Sequence, residues 1–414
     1  MEKIQRKITY RMYPNAAQGA ALMESLALHC RVYNTLLEEH RRRHEAGEPF
    51  YSFKLMCRDL TQWRGTSTLH ELNAQGLQVT AKRVALAFSA FFRRLATGEE
   101  PGYPRFKTVR RFAGWGYKTH GDGWRLTSGE NGHGTVRLSG IGVLKLRGRG
   151  RFAGTAKTAE VLRSHGKWYL SVTFDVEPAA VARIAGTETA AFDWGVATLL
   201  TIAHPDGTVE TVDNPRWLKR KLDALKDVQR AVSLEENRIR ERLGLAETAV
   251  LTWRQRTGKL NRLSRQLGAL HAKVARQRRD FYHKLTTNLV GRYGALATEQ
   301  LDVADMVQTR KPGPVNQKGL NRGILDAAPS MMLGMIRTKA AEAASVFAEA
   351  DTRSIKPTQR CHVCGELVKK ELSERTHRCS CGCVAERDEN AAKTLLRWFL
   401  EGDFWLGTSQ VAAA

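Results

Sequence analysis

The chain runs to 414 residues and carries 66 lysines and arginines against 42 aspartates and glutamates, a formal charge of +24 with a pI near 10.0. That length leaves room for about two or three domains with cores of their own, so size alone demands neither metals nor disulfides. The cationic surplus, in a chain of ordinary 42% hydrophobic content, points to a polyanionic partner, nucleic acid first, and the lack of any apolar run of about 18 residues excludes a membrane-spanning helix.

Ile8, Tyr10 and Met12 alternate with polar residues, which predicts an opening strand ending near Pro14. From Gln18 onward, Leu22, Leu26, Cys30, Tyr33 and Leu37 recur every three or four positions, the mark of an amphipathic helix that runs into the basic tract Arg41 to Arg43 and stops near Gly47. Helical patterning returns over Phe53 to Trp63 and Gln78 to Leu95, so residues 15–97 read as a helical insert. Residues 101–167 are different: 14 basic and 3 acidic side chains, many glycines, and short alternating runs such as Thr135 to Leu138 and Val143 to Leu146. They predict a twisted β-barrel or other β-rich module with a basic surface, continued by a strand through Trp168, Leu170, Val172 and Phe174 and joined by the first strand.

Thr189 to Asp193, Thr198 to Ala203 and Val209 to Val212, with a turn at Pro205, Asp206 and Gly207, predict a short antiparallel meander. Two long helices follow, one with a stripe of Leu218, Leu222, Leu225, Val228 and Val232, the other with Leu260, Leu263, Leu267, Leu270 and Val274. The stripes read as hairpin packing. The other faces of residues 216–279, with 18 basic and 6 acidic side chains, are suited to a nucleic-acid backbone. A strand over Leu296 to Val303 comes next. A polar loop through Lys311 and Pro314 leads to a helix from Leu320 to Ala348 that Pro329 should kink or divide, and Asn390 to Leu400 is a last helix.

Five of the seven cysteines lie between Cys361 and Cys383 rather than spread in pairs, which fits a reducing compartment and a metal site better than a disulfide framework. Cys30 and Cys57 sit in helical patterns as small hydrophobes. Cys361 and Cys364, followed by Gly365, then Cys379, Cys381 and Cys383, suit tetrahedral zinc. The preferred ligands are Cys361, Cys364, Cys379 and Cys381. Cys383 is a spare or replaces Cys379, and His362 and His377 are substitutes of lower rank. A zinc ion with four protein ligands has no open position for water, so catalytic chemistry is expected elsewhere.

Asp193 ends a strand of small and apolar residues, Glu299 is placed similarly, and Asp388 follows the knuckle, where it could also cap the last helix. Carboxylates from two strands and a helix can hold divalent magnesium or manganese against a phosphodiester, although 106 and 89 positions separate them and no spacing proves that they meet.

The whole pattern resembles the transposon-encoded TnpB family of RNA-guided DNA endonucleases, relatives of compact type V CRISPR effectors. The likeness is carried in order by Tyr10 to Pro14 with Gln18, Cys30 to Asn34, Gly102 to Lys107, Asp193 to Gly195, Asn214 to Arg216, Arg279 to Phe281, Glu299 with Leu301, Asp326, the knuckle, and Arg387 to Ala392. Departures fall at Glu386, where the family usually has aspartate, at Trp194, usually aliphatic, and at Ser380, which stands alone where two residues are usual.

The resemblance implies a mixed α/β multidomain architecture: an RNase H-like, RuvC-type nuclease with a β-rich wedge domain, a helical recognition insert and a zinc knuckle. The implied divisions are 1–14 and 98–186 for the wedge, 15–97 for recognition, 187–355 and 385–407 for the nuclease, 356–384 for the knuckle and 408–414 for a disordered tail. It implies Asp193, Glu299 and Asp388 as the catalytic carboxylates and metal ligands, with Mg2+ or Mn2+ at that site and Zn2+ in the knuckle. It also implies a guide RNA, double-stranded target DNA and a displaced single strand as partners, in a monomeric ribonucleoprotein without membrane contact. Arg41 to Arg43, Arg105, Lys107, Arg110 and Arg111 are candidate backbone contacts, with Phe106 and Trp115 as candidate stacking rings. The expected location is the cytoplasm, on the nucleoid. Two rivals stay open: guided DNA binding that silences without efficient cleavage, and a structural RNA-binding protein.

Overall fold

The computed structural model describes residues 4–128, 133–148, 154–252, 254–307, 315–371 and 374–402. The loop around Lys311 and Pro314 and the tail 408–414 lie outside the described residues. The chain divides into two compact units, Met1–Val181 and Ala182–Ala414.

In the first unit, strand β1 (Ile4–Tyr13) leads through Asn15 into helix α1 (Ala16–Glu45). Asn15 accepts the Gln18 backbone N–H while the Gln18 side chain accepts that of Asn15, a reciprocal cap that fixes where the strand ends and the helix begins. Helix α2 (Phe53–Thr66), a 3-10 turn at Thr68–Glu71 and helix α3 (Ala74–Ala96) follow, capped by Ser52, Ser67 and Asn73. Six strands come next: β2 (Gly114–Tyr117), β3 (Trp124–Ser128), β4 (Gly134–Leu138), β5 (Gly142–Arg147), β6 (Gly154–Ser164) and β7 (Lys167–Val176), closed by the turn α4 (Pro178–Val181).

The seven strands form one antiparallel sheet in the order β2-β6-β7-β1-β5-β4-β3. The first strand joins the β-rich module and is its central strand. Helices and sheet share one core, in which Leu22, Leu36, Val84 and Phe88 join Trp115, Val136 and Leu170. Gly114, at φ 150, is fixed by that packing, because a Cβ there would stand 1.8 Å from the Val161 carbonyl oxygen.

The second unit opens with β8 (Glu188–Trp194), β9 (Thr198–Ala203) and β10 (Val209–Asp213), then a 3-10 turn at Lys219–Lys221 and the helices α5 (Leu222–Arg242) and α6 (Gly258–Arg292). After them come β11 (Tyr293–Glu299), α7 (Val303–Val307), α8 (Val315–Ala327), α9 (Pro329–Ala343), β12 (Val346–Ala350) and α10 (Thr352–Ile355). The small hairpin β13 (Thr376–Arg378) and β14 (Val384–Glu386) precedes α11 (Arg387–Glu401). The sheet order is β10-β9-β8-β11-β12, with the first three strands antiparallel and β11 and β12 parallel to β8. An antiparallel meander extended by parallel strands, with helices on both faces, is the RNase H-like arrangement.

Period-two alternation sorts the sheet's residues between those faces. Ala190, Phe192, Trp194 and Leu296 face a core built with Tyr282, Leu289, Met332 and Ile336 of α6 and α9. Ala191 and Ala297 face the other way, against Ala392, Leu395 and Leu396 of α11. Alanines on that face let α11 approach the sheet closely.

Two expectations are corrected. The helix over 320–348 is divided at Pro329, but it starts at Val315 and stops at Ala343, and Val346–Ala350 is a strand. Ala344 takes the left-handed conformation at φ 53 and ends the helix, after which Val346 pairs with Ala295 in parallel register. The alanine-rich sequence favours helix, and strand pairing overrides that preference. Likewise β11 ends at Glu299, and Val303 begins α7 rather than prolonging the strand.

Candidate active site and cysteine knuckle

Asp193 and Glu299 stand at the C-terminal ends of adjacent parallel strands. The register runs Leu296 with Ala190 and Ala297 with Ala191, and the Thr298 hydroxyl donates to the Phe192 carbonyl at 2.9 Å. Two further steps of alternation put both carboxylates on the α11 side, where they are 5% and 9% exposed. The third, Asp388, lies in the first turn of α11. A side chain added at Gly195 would meet the Thr198 carbonyl oxygen at 2.6 Å and lie 3.9 Å from Asp388 Oδ2, so the β8–β9 turn must be bare where Asp388 comes down on it.

The capping role expected for Asp388 belongs to Glu386. The Glu386 carboxylate accepts the N–H groups of Asp388 and Glu389 at 2.7 and 3.0 Å. An N-cap accepts from the backbone two or three residues ahead, and Asp388 is already inside the helix that starts at Arg387. Its side chain is therefore available to the sheet, with Arg387 Nε at 3.2 Å and Arg375 Nη1 at 4.0 Å.

Burial first, then the charges of Glu299 and Asp388, push the Asp193 carboxyl well above its ordinary range, and Arg387 offsets only part of this. Burial also raises Glu299, against a hydrogen bond from Thr352. Hard oxygen donors with unbalanced negative charge have the chemistry that divalent magnesium or manganese would fit.

Stability should follow the same electrostatics. A carboxyl that holds its proton more tightly folded than unfolded stabilises the fold below its ordinary value, and that contribution is lost as pH rises through the raised one. In magnesium-free buffer at neutral pH, Asp193→Asn should therefore melt above the wild type, with the difference closing as pH falls below the ordinary carboxylate range. Equal melting at neutral pH would contradict the crowding.

Beside this site a cavity of about 450 Å³ is lined by Val196, Arg216, Lys219, Arg322, Asp326 and Arg375, among others. Arg216 is held at φ 50, its N–H donating to Asn214 Oδ1 at 3.0 Å and its guanidinium to the Ala197 carbonyl at 3.3 Å. Asp326, at the end of α8, accepts the Leu218 N–H at 2.9 Å and pairs with Arg278 at 2.9 Å, both largely buried. Asp326→Ala would leave that guanidinium and N–H without their acceptor. The expected cost is about 3–5 kcal/mol, read as a lowered unfolding midpoint in denaturant.

In the knuckle, Cys361, Cys364, Cys379 and Cys381 have their sulfurs within 4.8 Å of one another, with Cys361 3.8 Å from Cys381 and Cys364 3.4 Å from Cys379. Burial above all, then neighbouring thiols, pushes Cys364 up to about 12, so ionisation needs a cation among the sulfurs. Cys383 instead groups with Cys361 and His377. The donor set suits zinc. Asn390 ties the knuckle to α11, donating to the Arg360 carbonyl at 2.7 Å and accepting the His362 N–H at 3.2 Å, while the Thr394 hydroxyl donates to the Arg360 carbonyl at 3.1 Å.

The candidate nucleic-acid contacts of the first unit divide by partner. Arg42 and Arg43 are bound to Glu39 at 2.8 Å each, and Trp115 is a core ring stacked on His29. Arg41 lies over the rings of Tyr103 and Phe106, and Phe106 is exposed, as are Arg105, Arg110 and Arg111. Lys107 sits over Tyr33. Reading the sequence missed Arg375 and the capping role of Glu386. Arg375 carries no local signal, but Glu386, two residues ahead of Asp388 and immediately before its helix, has the position of a cap.

Comparison with known proteins agrees with this architecture. Residues 171–310 match the family described as "Probable transposase" (OrfB_IS605), and residues 330–395 match the "Cas12f1-like, TNB domain". Residues 1–49 match a family described as a helix-turn-helix domain, although here they form one strand and one continuous helix. A protein of Escherichia coli K12 named "Putative RNA-guided DNA endonuclease InsQ" is 27% identical over 90% of this chain and 87% of its own length. A Streptomyces pristinaespiralis protein named "Putative RNA-guided DNA endonuclease" is 28% identical over 96% of this chain and 90% of its own.

Among solved structures, a Cas12f1 chain from a complex with guide RNA and target DNA superposes with a TM-score of 0.58 at 12% identity, covering 95% of this chain and 99% of that one. A mini-RNA-guided endonuclease, CRISPR-Cas phi3, gives 0.52 at 9% identity, covering 95% and 92%. These likenesses show that the chain shares the RNase H-like fold of those structures. Along the chain, the similarity is to the transposase and TNB family models and to proteins named as putative RNA-guided DNA endonucleases. No helix among the described residues is long and apolar enough to cross a membrane.

Proposed function

We propose that the chain is an RNA-guided DNA endonuclease that hydrolyses phosphodiesters of target DNA beside a short recognition motif. The observation that carries the reading is the convergence of Asp193, Glu299 and Asp388 at one end of the β8–β11 pair, on the face covered by α11. Asp193, Glu299 and Asp388 would hold Mg2+ or Mn2+, which supplies charge neutralisation at the scissile phosphate and an activated nucleophilic water.

The chain's own residues set the rest. The alanine-lined seat of α11 fixes Asp388 against the strands, and the packed core beneath Phe192 and Trp194 keeps the carboxylates rigid. Arg216, Lys219, Arg322 and Arg375 give the neighbouring cavity the charge to take DNA phosphates. Zinc would be held by Cys361, Cys364, Cys379 and Cys381 as a structural ion. Guide RNA pairing supplies sequence specificity, the displaced single strand is cut at the same site as its complement, and the working form is a monomeric ribonucleoprotein on nucleoid DNA.

A second reading, guided binding that silences without cleavage, draws on Arg387 and Arg375, whose guanidiniums flank Asp388. Both are separated by one experiment. Wild-type protein and Asp193→Ala, each purified with co-expressed RNA, are given a magnesium-containing plasmid library with the matching target and randomised flanks. Guided cutting by the wild type alone supports the nuclease; guided binding without cutting by either supports silencing; RNA binding without target recognition contradicts both.

A further inference from the structure

The knuckle contains more ligands than one tetrahedral ion uses. Besides the four thiols that gather as one set, a second set of Cys361, His377 and Cys383 has its ligand atoms within 4.8 Å of one another. His377 is fully buried on β13, and neither ring nitrogen has a hydrogen-bond partner. Burying an imidazole with both nitrogens unpaired is costly, and nothing in the hydrogen bonding around it offsets that cost.

The local backbone explains how Cys383 joins it. The Cys379 N–H donates to the Cys383 carbonyl and the Gly382 N–H to the Cys379 carbonyl, both at 3.0 Å, with Gly382 at φ 87. This tight turn brings the extra cysteine back toward Cys361.

We propose that the knuckle takes a second thiophilic divalent cation, of the zinc class, in a seat made by Cys361, His377 and Cys383, with the Cys361 thiolate bridging the two ions. Thiolate and imidazole together select zinc over magnesium. With three protein ligands, this seat has its fourth position open on the side of Cys383, the least buried of the three. The inference rests on the structural-zinc reading of the first seat and is independent of whether the chain cuts DNA.

The test is a titration of the reduced, metal-free full-length chain with Co2+, read in the thiolate-to-cobalt charge-transfer band, to which carboxylates contribute nothing. Zinc content of the reloaded protein is measured alongside. The expected result is saturation at two equivalents for the wild type and at one for Cys383→Ser and for His377→Phe, with the first equivalent's midpoint unchanged. Cys383→Ser, at a half-buried position, keeps the test decisive if His377→Phe fails to fold, which its melting curve reveals. Wild-type saturation at one equivalent, with or without a spectral change in Cys383→Ser, would overturn the second seat alone. No thiolate band at all would overturn both seats.

Discussion

Glu299→Gln is expected to lower target cleavage by about 10³-fold or more while guide RNA and target binding stay at wild-type levels. Glutamine keeps the shape of the side chain and its place at the end of β11, so Thr298 still reaches Phe192 and the parallel register stands. What is lost is one of the negative charges that crowd Asp193. Divalent-ion stabilisation of a phosphoryl transition state amounts to several kcal/mol, and each 1.36 kcal/mol is about tenfold in rate. Cleavage is measured as single-turnover rates on a matched linear duplex, with binding by gel shift in the same magnesium buffer. A loss of binding equal to the loss of rate would mean that Glu299 supports the fold rather than the chemistry.

Cys364→Ser should have the next largest effect, through structure. Among the described residues, none of the hydrophobic clusters includes a residue between 356 and 386; the nearest member is Ile355. What holds the segment is the Arg360 guanidinium, which donates to the carbonyls of Ile355 and Gly365 at 2.9 Å, together with the thiol cluster. A segment without an apolar core depends on its ion for order. The damage would spread to the active site, because β14 ends at the cap Glu386 and Asn390 of α11 is bonded to Arg360 and His362. The expected outcome is loss of the four-thiolate ion, faster proteolysis between residues 361 and 386, and cleavage lowered at least tenfold, with the β8–β11 pair still folded by amide exchange. Full zinc content and wild-type cleavage would contradict the coupling.

Much of this architecture was legible because it is written in local periodicity. Alternation along Ile8, Tyr10 and Met12 marked β1, the leucine spacing marked α1, α5 and α6, and the turn at Asp206 and Gly207 marked the meander. The apolar setting of Asp193 and Glu299 also showed in the sequence, since each lies at or next to the end of a strand of small and apolar residues. Their meeting did not. Parallel pairing leaves no local signal, and β8 and β11 are joined only after two long helices intervene.

Elsewhere tertiary pairing outweighed local preference. Val346–Ala350 reads as the end of an alanine-rich helix and becomes an edge strand because β11 offers it a partner. Glu386 and Asp388 are both acidic residues near a helix start, and only the helix beginning at Arg387 decides which one caps and which one faces the sheet. His377 could be ranked only as a substitute ligand until its complete burial without a partner was visible.

The most direct measurement of the central claim is anomalous diffraction from crystals of the guide RNA and target DNA complex grown with Mn2+, using Asp193→Ala as the control. Two manganese peaks about 4 Å apart are expected, bounded by Asp193, Glu299 and Asp388 and absent from the control. Manganese bound away from these carboxylates, or peaks that persist in Asp193→Ala, would contradict that claim.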